Sequence, residues 1–458
     1  MDATDLCFAG AAEQARLVAA GEVSARELVE AALARIERVD PTLNAFRVVF
    51  AERALIEADQ ADARRGAGAT RPLLGVPVAI KDDADVAGEI TAYGSLAHGE
   101  PAARDSDVVR ALREAGAIVV GKTHVPELMM FPYTESLAYG ATRNPWSLDH
   151  SPGGSSGGTG AAVAAGLVGV GLGSDGGGSV RIPSAFCGLF GIKPQRDRIS
   201  LGPKREHWHG LSVFGPLARR VADAALFLDV AAGGGGGFAE AAVREPGRLR
   251  VAVSTRLPPG VIARLGGEQR GAVEATAELL RSLGHEVAER EIDYGPAAWQ
   301  NLVARYLRGI HDDGVAVAHP ERLEPRTRAM VRLGALVPAA LVAKARAAEP
   351  GIAARVNAIF EHADVVLLPG PAGRPFRVGQ FHGRGALWTL TAIAARVPYY
   401  GVFNVTGQPA ASVPAGFDAA GLPLAVQLVG RPGDEATLLS LAAQIEGARP
   451  WADRRPPV

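Results

Sequence analysis

Apolar residues early in the chain recur at helical spacing. Leu28, Ala32, Ile36 and Val39 fall on one face, and Ser24 followed by Glu27 has the form of a capping box at the start of that run. A helix is predicted over 24–39, stopped by Pro41. A second is predicted over 50–64, where alanine alternates with charged residues and no β-branched cluster intervenes. The period then changes. Val76, Val78 and Ile80 alternate within GVPVAIKDD and predict a short buried strand ending at Lys81. A helix over 105–115 and an apolar strand over 117–120 follow. Further strands are predicted at 248–254, 365–368 and 425–429, with helices over 267–283, 299–310, 325–347 and 434–446, the last capped by Asp434. Helices alternating with short apolar strands define an α/β fold: a central mixed, mostly parallel twisted sheet covered by helices on both faces. No internal repeat or disordered tract appears, and Gly233–Gly237 reads as a surface link. Residues 1–458 are therefore expected to form a single domain.

Composition narrows the function. With 48% hydrophobic and 21% charged residues the chain has ample material for a large core. A net charge of −1 gives no basic excess to attract nucleic acid or an anionic membrane, so small molecules are the expected partners. Oligomeric state is open between monomer and homodimer. Two distant cysteines, Cys7 and Cys187, form neither a disulfide framework nor a zinc spacing, which fits a reducing cytoplasm. The N-terminus lacks a signal-peptide pattern, and no apolar run is long enough to span a bilayer. Only five of the 48 basic residues are lysine. In a chain that makes its charge with arginine, a lysine is more readily explained by chemistry that needs lysine.

Residues 153–191 hold 14 of the 56 glycines, roughly three times an even share. Such a stretch lets backbone N–H groups approach a ligand and suits an anion or oxyanion site. Two formal motifs within it fail in context. Gly153–Gly157 fits the nucleophile elbow, but a loop rather than a strand precedes it. Gly171–Gly176 fits the dinucleotide fingerprint, but Pro183 follows too soon for the required helix.

A larger constellation remains. GVPVAIKDD at 75–83, PGGSSGG at 152–158 and GLGSDGGGSVRIPSAFCG at 171–188 occur in order, followed by GIKP at 191–194, HGLSVFGPL at 209–217, NVTGQPA at 404–410 and GRPG at 430–433. Together these segments resemble the amidase-signature family over most of the chain, most weakly between about 235 and 360, with the catalytic core at about 75–217. The resemblance implies the amidase-signature fold and a hydrolase that cleaves carboxylic amide C–N bonds, without cofactor or metal. It implies Ser179 as nucleophile, Lys81 as base, and Ser155, after a cis Gly154–Ser155 peptide, as the relay between them. The chemistry is coherent: a serine hydroxyl needs a neighbour to take its proton, and a lysine buried at a strand end can be neutral enough to do so. Gly176, Gly177 and Gly178 are the expected oxyanion donors. Ser156, Asp175 and Arg181 are expected to support the loop, the last two by ion pairing or backbone contacts.

The same machinery serves carbamates and esters, so these remain alternatives to small apolar or aryl amides. A glutamine-using subunit of a tRNA-dependent amidotransferase is a further alternative. That subunit shows glutamine after the signature arginine and an aromatic-rich stretch after Lys-Pro, where this chain has Ile182 and Gln195-Arg196-Asp197-Arg198. Met129, Met130, Phe131 and Tyr133 are candidates for the substrate pocket, with His382, Trp388, Tyr399 and Tyr400 as a second wall. Asp82 and Asp83 read as a capped turn on a solvated edge, and Lys122 and Lys193 as structural. His124 stands where the family commonly has asparagine. His207 and His209 flank Trp208 and lack a third metal ligand. Cys187, among apolar neighbours, reads as a buried inert thiol.

Overall fold

The computed structural model describes residues 2–458. Among them run thirteen strands: β1 Phe46–Val49, β2 Pro77–Lys81, β3 Ile118–Thr123, β4 Glu135–Ser136, β5 Gly140–Ala141, β6 Val170–Asp175, β7 Phe190–Lys193, β8 Val213–Ala218, β9 Arg250–Val253, β10 Glu286–Glu289, β11 Val365–Pro369, β12 Ala410–Phe417 and β13 Pro423–Gly430. Eleven form one sheet in the order β1-β3-β2-β6-β8-β7-β12-β13-β11-β9-β10, while β4 and β5 make a separate hairpin. The sheet is mixed, as predicted, but its majority is antiparallel. β2 runs parallel to β3 and β6, and β9 runs parallel to β10 and β11; the six other pairings are antiparallel. The strands that change the balance, β7, β8 and β12, carry glycine or proline inside FGIK, VFGPLA and AASVPAGF. These interruptions hide the alternation by which strands are read.

Strand alternation divides the core by faces. Val78, Ile80, Val119, Leu367 and Leu428 pack into one cluster with the helices Val221–Ala231 and Glu435–Ala448. Ala79, Val120 and Leu217 face the opposite side, against the helices Ala25–Leu43 and Gly157–Ala164. Val366 and Leu368 share that second side farther along the sheet, in a third cluster with the helix Ala298–Ala316.

The capping box at Ser24 and Glu27 is formed in full. Pro41 does not stop the helix: it sits in the last turn, and Asn44 in the left-handed region ends it. The single helix expected over 325–347 is two, Pro325–Ala335 and Ala339–Asn357, because Pro338 occupies the N-cap of the second. No helix is long and apolar enough to cross a membrane among the described residues.

The glycine-rich stretch is built differently from the expected loop. It contains β6 and two buried helices, Gly157–Ala164 and Arg181–Cys187. Its glycines serve close packing more than ligand approach. A Cβ on Gly171 would lie 2.4 Å from the Thr159 methyl, and one on Gly158 would lie 2.5 Å from both the Ala45 carbonyl and the His124 nitrogen. Backbone on both sides of Gly158 cannot give way. Gly158→Ala is expected to destabilise the protein by about 1–3 kcal/mol, read as a lower urea midpoint at unchanged slope.

Candidate active site

The C-terminal ends of the adjacent strands β2 and β6 deliver the central residues, as ligand sites on parallel strands commonly do. Lys81 ends β2 and is fully buried. Its Nζ donates to Ser155 Oγ at 2.8 Å and to Ser174 Oγ at 2.7 Å. Ser155 follows the cis Gly154–Ser155 peptide in the turn that leads into the helix Gly157–Ala164. Of the three residues named for the triad, Ser155 touches Lys81, and Ser179 is joined to the Ser155 turn through its backbone, whose carbonyl accepts from the Ser156 N–H at 3.2 Å. Ser179 is half-buried and faces the large cavity.

Burial lowers the Lys81 pKa from its ordinary value, against the raising pull of the Asp83 carboxylate. Asp83 Oδ2 lies 3.3 Å from Nζ and also accepts from Ser174 Oγ. The acidic pair after Lys81 is therefore not a solvated edge. Asp82 is buried and bound by Arg47 at 2.7 Å and Lys122 at 3.0 Å. Lys122 and Lys193 are structural, the latter donating to the Pro194 carbonyl at 2.8 Å. Arginine-rich surfaces and buried lysines thus go together: Lys81, Lys122 and Lys193 are all fully buried.

Asp175 and Arg181 form a buried pair at 2.9 Å. The Asp175 carboxylate also accepts from the N–H groups of Gly178 at 2.7 Å and Val180 at 3.1 Å and from Asn404 Nδ2 at 2.9 Å. Arg181 reaches on to Gln427 Oε1 at 2.6 Å and Asn404 Oδ1 at 2.8 Å. Burial alone raises the Asp175 pKa, but the Arg181 charge and hydrogen bonds outweigh it and hold the carboxyl well below the usual range. This pair braces the turn, as expected. It also corrects one oxyanion assignment. The Gly178 N–H is spent on Asp175, whereas Gly177 borders the large cavity. Ser156 Oγ donates to the Ser174 carbonyl at 3.2 Å and accepts its N–H at 3.3 Å, so it ties the turn to β6.

The cavity in front of Ser179 holds about 360 Å³. Met129, Met130 and Phe131 line it as predicted. Tyr133 does not: it stacks against Phe131 and Phe381 at 5.1 and 4.3 Å, and its hydroxyl accepts from Arg326 at 2.7 Å, which makes it core. The second wall is also different. Leu390, Ile393, Ala394 and Val397 line the cavity rather than His382, Trp388, Tyr399 or Tyr400. Trp299, Leu302, Val303, Tyr306 and Leu307, on one stripe of the helix Ala298–Ala316, complete it with Trp208 and Gly260–Ile262. Their helical spacing looks like any core-facing stripe. Met129 and Trp208 both sit in the left-handed region, at φ 56° and 48°, which is uncommon without glycine and aims both side chains into the cavity.

The histidines have local partners. His207 Nε2 lies 2.9 Å from Asp313, and His209 Nε2 lies 3.0 Å from Asp312. Burial pushes His124 down to about 4; it packs against Tyr139, away from the cavity. Burial raises the Cys187 thiol, whose Sγ contacts the Pro152 carbonyl at 3.4 Å.

The sheet, with this serine and lysine arrangement at its strand ends, is that of an amide-hydrolysing enzyme, and the chain belongs to the amidase family, whose model matches residues 27–439. It is 58% identical to "Putative amidase AmiB2" of Mycobacterium tuberculosis over the full length of both chains. It is 36% identical to the 6-aminohexanoate-cyclic-dimer hydrolase of Paenarthrobacter ureafaciens, covering 97% of this chain and 96% of that one. The solved structure of a 6-aminohexanoate cyclic dimer hydrolase complexed with substrate superposes with a TM-score of 0.87 at 34% identity, over 98% and 99% of the two chains. A bacterial aryl acylamidase of the amidase-signature family superposes at 0.85 and 26% identity, over 97% and 96%.

Proposed function

We propose that this enzyme hydrolyses uncharged amides with an apolar or aryl acyl group through a Ser179–Ser155–Lys81 triad and an acyl-enzyme. The observation that carries the substrate class is the cavity lining, which includes no aspartate, glutamate, lysine, arginine or histidine among the described residues. A charged acyl group would be desolvated there without a partner.

Neutral Lys81 takes the Ser155 proton as Ser155 takes that of Ser179, and Ser179 Oγ attacks the carbonyl carbon. The oxyanion is met by the N–H groups of Gly176, Gly177 and Ser179, each donor worth about 3–4 kcal/mol. On collapse the proton returns through Ser155 to the leaving nitrogen and the C–N bond breaks. Water, activated by the same route, then releases the acid. Similarity to a hydrolase of a cyclic amide and to an aryl acylamidase supports this reading.

The test compares an amide and a carbamate that share one aniline leaving group. The amide is expected to turn over faster; a faster carbamate would move the enzyme to urethane hydrolysis on the same residues. In the same assay a hexanoyl anilide is expected to exceed a succinyl anilide in kcat/KM by about 100-fold, from the cost of burying an unpaired carboxylate. Equal rates would sink the apolar-acyl assignment.

A further inference from the structure

Lys81 is fully buried between two cavities that differ in kind. On one side Ser155 leads to the apolar cavity bordered by Ser179. On the other, Ser174 and Asp83 lead to a chamber of about 30 Å³, lined by the polar or charged Tyr93, Lys204, His207 and Ser212 as well as by the apolar Met129, Leu201 and Phe214, a volume suited to a single water. The Asp83 side chain is 7% exposed. One of its oxygens is engaged by Lys81 and Ser174, while Oδ1 has no hydrogen-bond partner among the described residues. A buried carboxylate oxygen left unpaired in this way, on a residue that lines the chamber, calls for water or a proton there. Pro203 and Lys204, at the far side, are exposed and bring the chamber to the surface.

We infer that Asp83 is a positioning residue that sets the protonation of Lys81 from the side opposite the substrate, with the small chamber as the rear route by which the base exchanges protons with solvent. The inference rests on Lys81 acting as the base. Where the resting enzyme holds Lys81 as an ammonium, that proton must leave before attack can begin. When substrate fills the front cavity, the route through Ser155 and Ser179 is occupied. The rear route remains: an N–H bond of Lys81 breaks as Asp83 accepts the proton, directly or through Ser174, whose Oγ takes it while passing its own hydrogen to Asp83, and Asp83 then gives a proton to chamber water, which carries it outward as hydronium past the His207–Asp313 pair.

The charges around the pair fix the signs. Lys81 faces Asp83 and, farther off, Asp175. Asp83 faces Lys81, with Lys204, Tyr93, Asp85 and the His207–Asp313 pair around the chamber. The Asp83 carboxylate favours the Lys81 ammonium, so its removal should let the base become neutral at lower pH. The Lys204 charge is coupled to the Asp83 carboxylate and weakens its hold on the Lys81 ammonium, so its removal should act in reverse.

The experiment is the pH profile of kcat/KM for wild type, Asp83→Asn and Lys204→Gln, with Lys81→Ala alongside. The acid limb is expected to move down by about one pH unit or more in Asp83→Asn, the range over which a neighbouring opposite charge shifts a pKa, and to move up in Lys204→Gln. A limb unmoved in a folded Asp83→Asn protein overturns the inference. If that variant does not fold, an unmoved limb in Lys204→Gln, at an exposed position, overturns it instead. Full activity in Lys81→Ala would show that the base assignment itself is wrong; an inactive Lys81→Ala with an unmoved Asp83→Asn limb would remove the role of Asp83 alone.

Discussion

Ser179→Ala is expected to lower kcat on the anilide amide by a factor of about 10⁵, the scale seen when the nucleophile of a serine triad is deleted, with KM and the unfolding midpoint almost unchanged. The contrast follows from where the hydroxyl sits. It faces the cavity on a half-buried residue and makes no side-chain hydrogen bond among the described residues, so deletion leaves no orphaned partner. Lys81→Met should lose nearly as much activity while filling much of the same volume. The double variant should lose little more than either single one, because the three groups act as one proton path. Residual activity of Ser179→Ala above about a hundredth of wild type would rule out a serine nucleophile, since deleting the nucleophile of a serine triad leaves far less than that. Phenylmethanesulfonyl fluoride supplies an independent reading: mass spectrometry should place one sulfonyl group on Ser179 in wild type and none in the alanine variant.

Asp175→Ala should cost about 3–5 kcal/mol of stability, as removing one partner of a buried ion pair does. Arg181 would keep its charge at a fully buried position, and the N–H groups of Gly178 and Val180 would lose their acceptor. Activity should fall with it, because those N–H groups set the path of the chain through Ser179. The effect has a pH signature. Asp175 has a depressed pKa in the folded protein, so its contribution is full above the unfolded carboxyl value of about 4 and is lost as pH falls towards the folded value. Urea titrations should therefore show the gap between wild type and variant narrowing below about pH 4. A constant gap would mean that Asp175 acts by shape rather than charge.

What could be read from the sequence divides along the same physical lines. The strand ending at Lys81 was legible because alternation and burial coincide in GVPVAI. The supporting role of Asp175 and Arg181 was legible because opposite charges flank a glycine turn. Other features depend on contacts between distant segments. Nothing local in Gly178 says that a carboxylate three residues back takes its N–H, and nothing in Tyr133 says that Phe381 and Arg326 enclose it. Asp82 and Asp83 looked solvent-facing because two adjacent acids usually are. Arg47 and Lys122 bury one, and Lys81 with Ser174 engages the other. The glycines were read as ligand-cradling, whereas all of those in 153–191 except Gly177 pack closely against a neighbouring side chain or backbone. A helix whose apolar stripe faces a cavity carries the same pattern as one facing a core, so the wall from Trp299 to Leu307 left no distinguishing trace.

The order of strands in the sheet separates two territories. Six neighbouring strands from the first half of the chain, β1-β3-β2-β6-β8-β7, carry Lys81, Ser174 and the turns that bear Ser155 and Ser179. Much of the cavity wall is drawn from Gly260–Ile262, Trp299–Leu307 and Leu390–Gly401, which belong with the other half. A chimera of two relatives joined near 235–250 would therefore pair the Lys81, Ser155 and Ser179 segments of one with much of the cavity wall of the other, and acyl preference should travel with the second half.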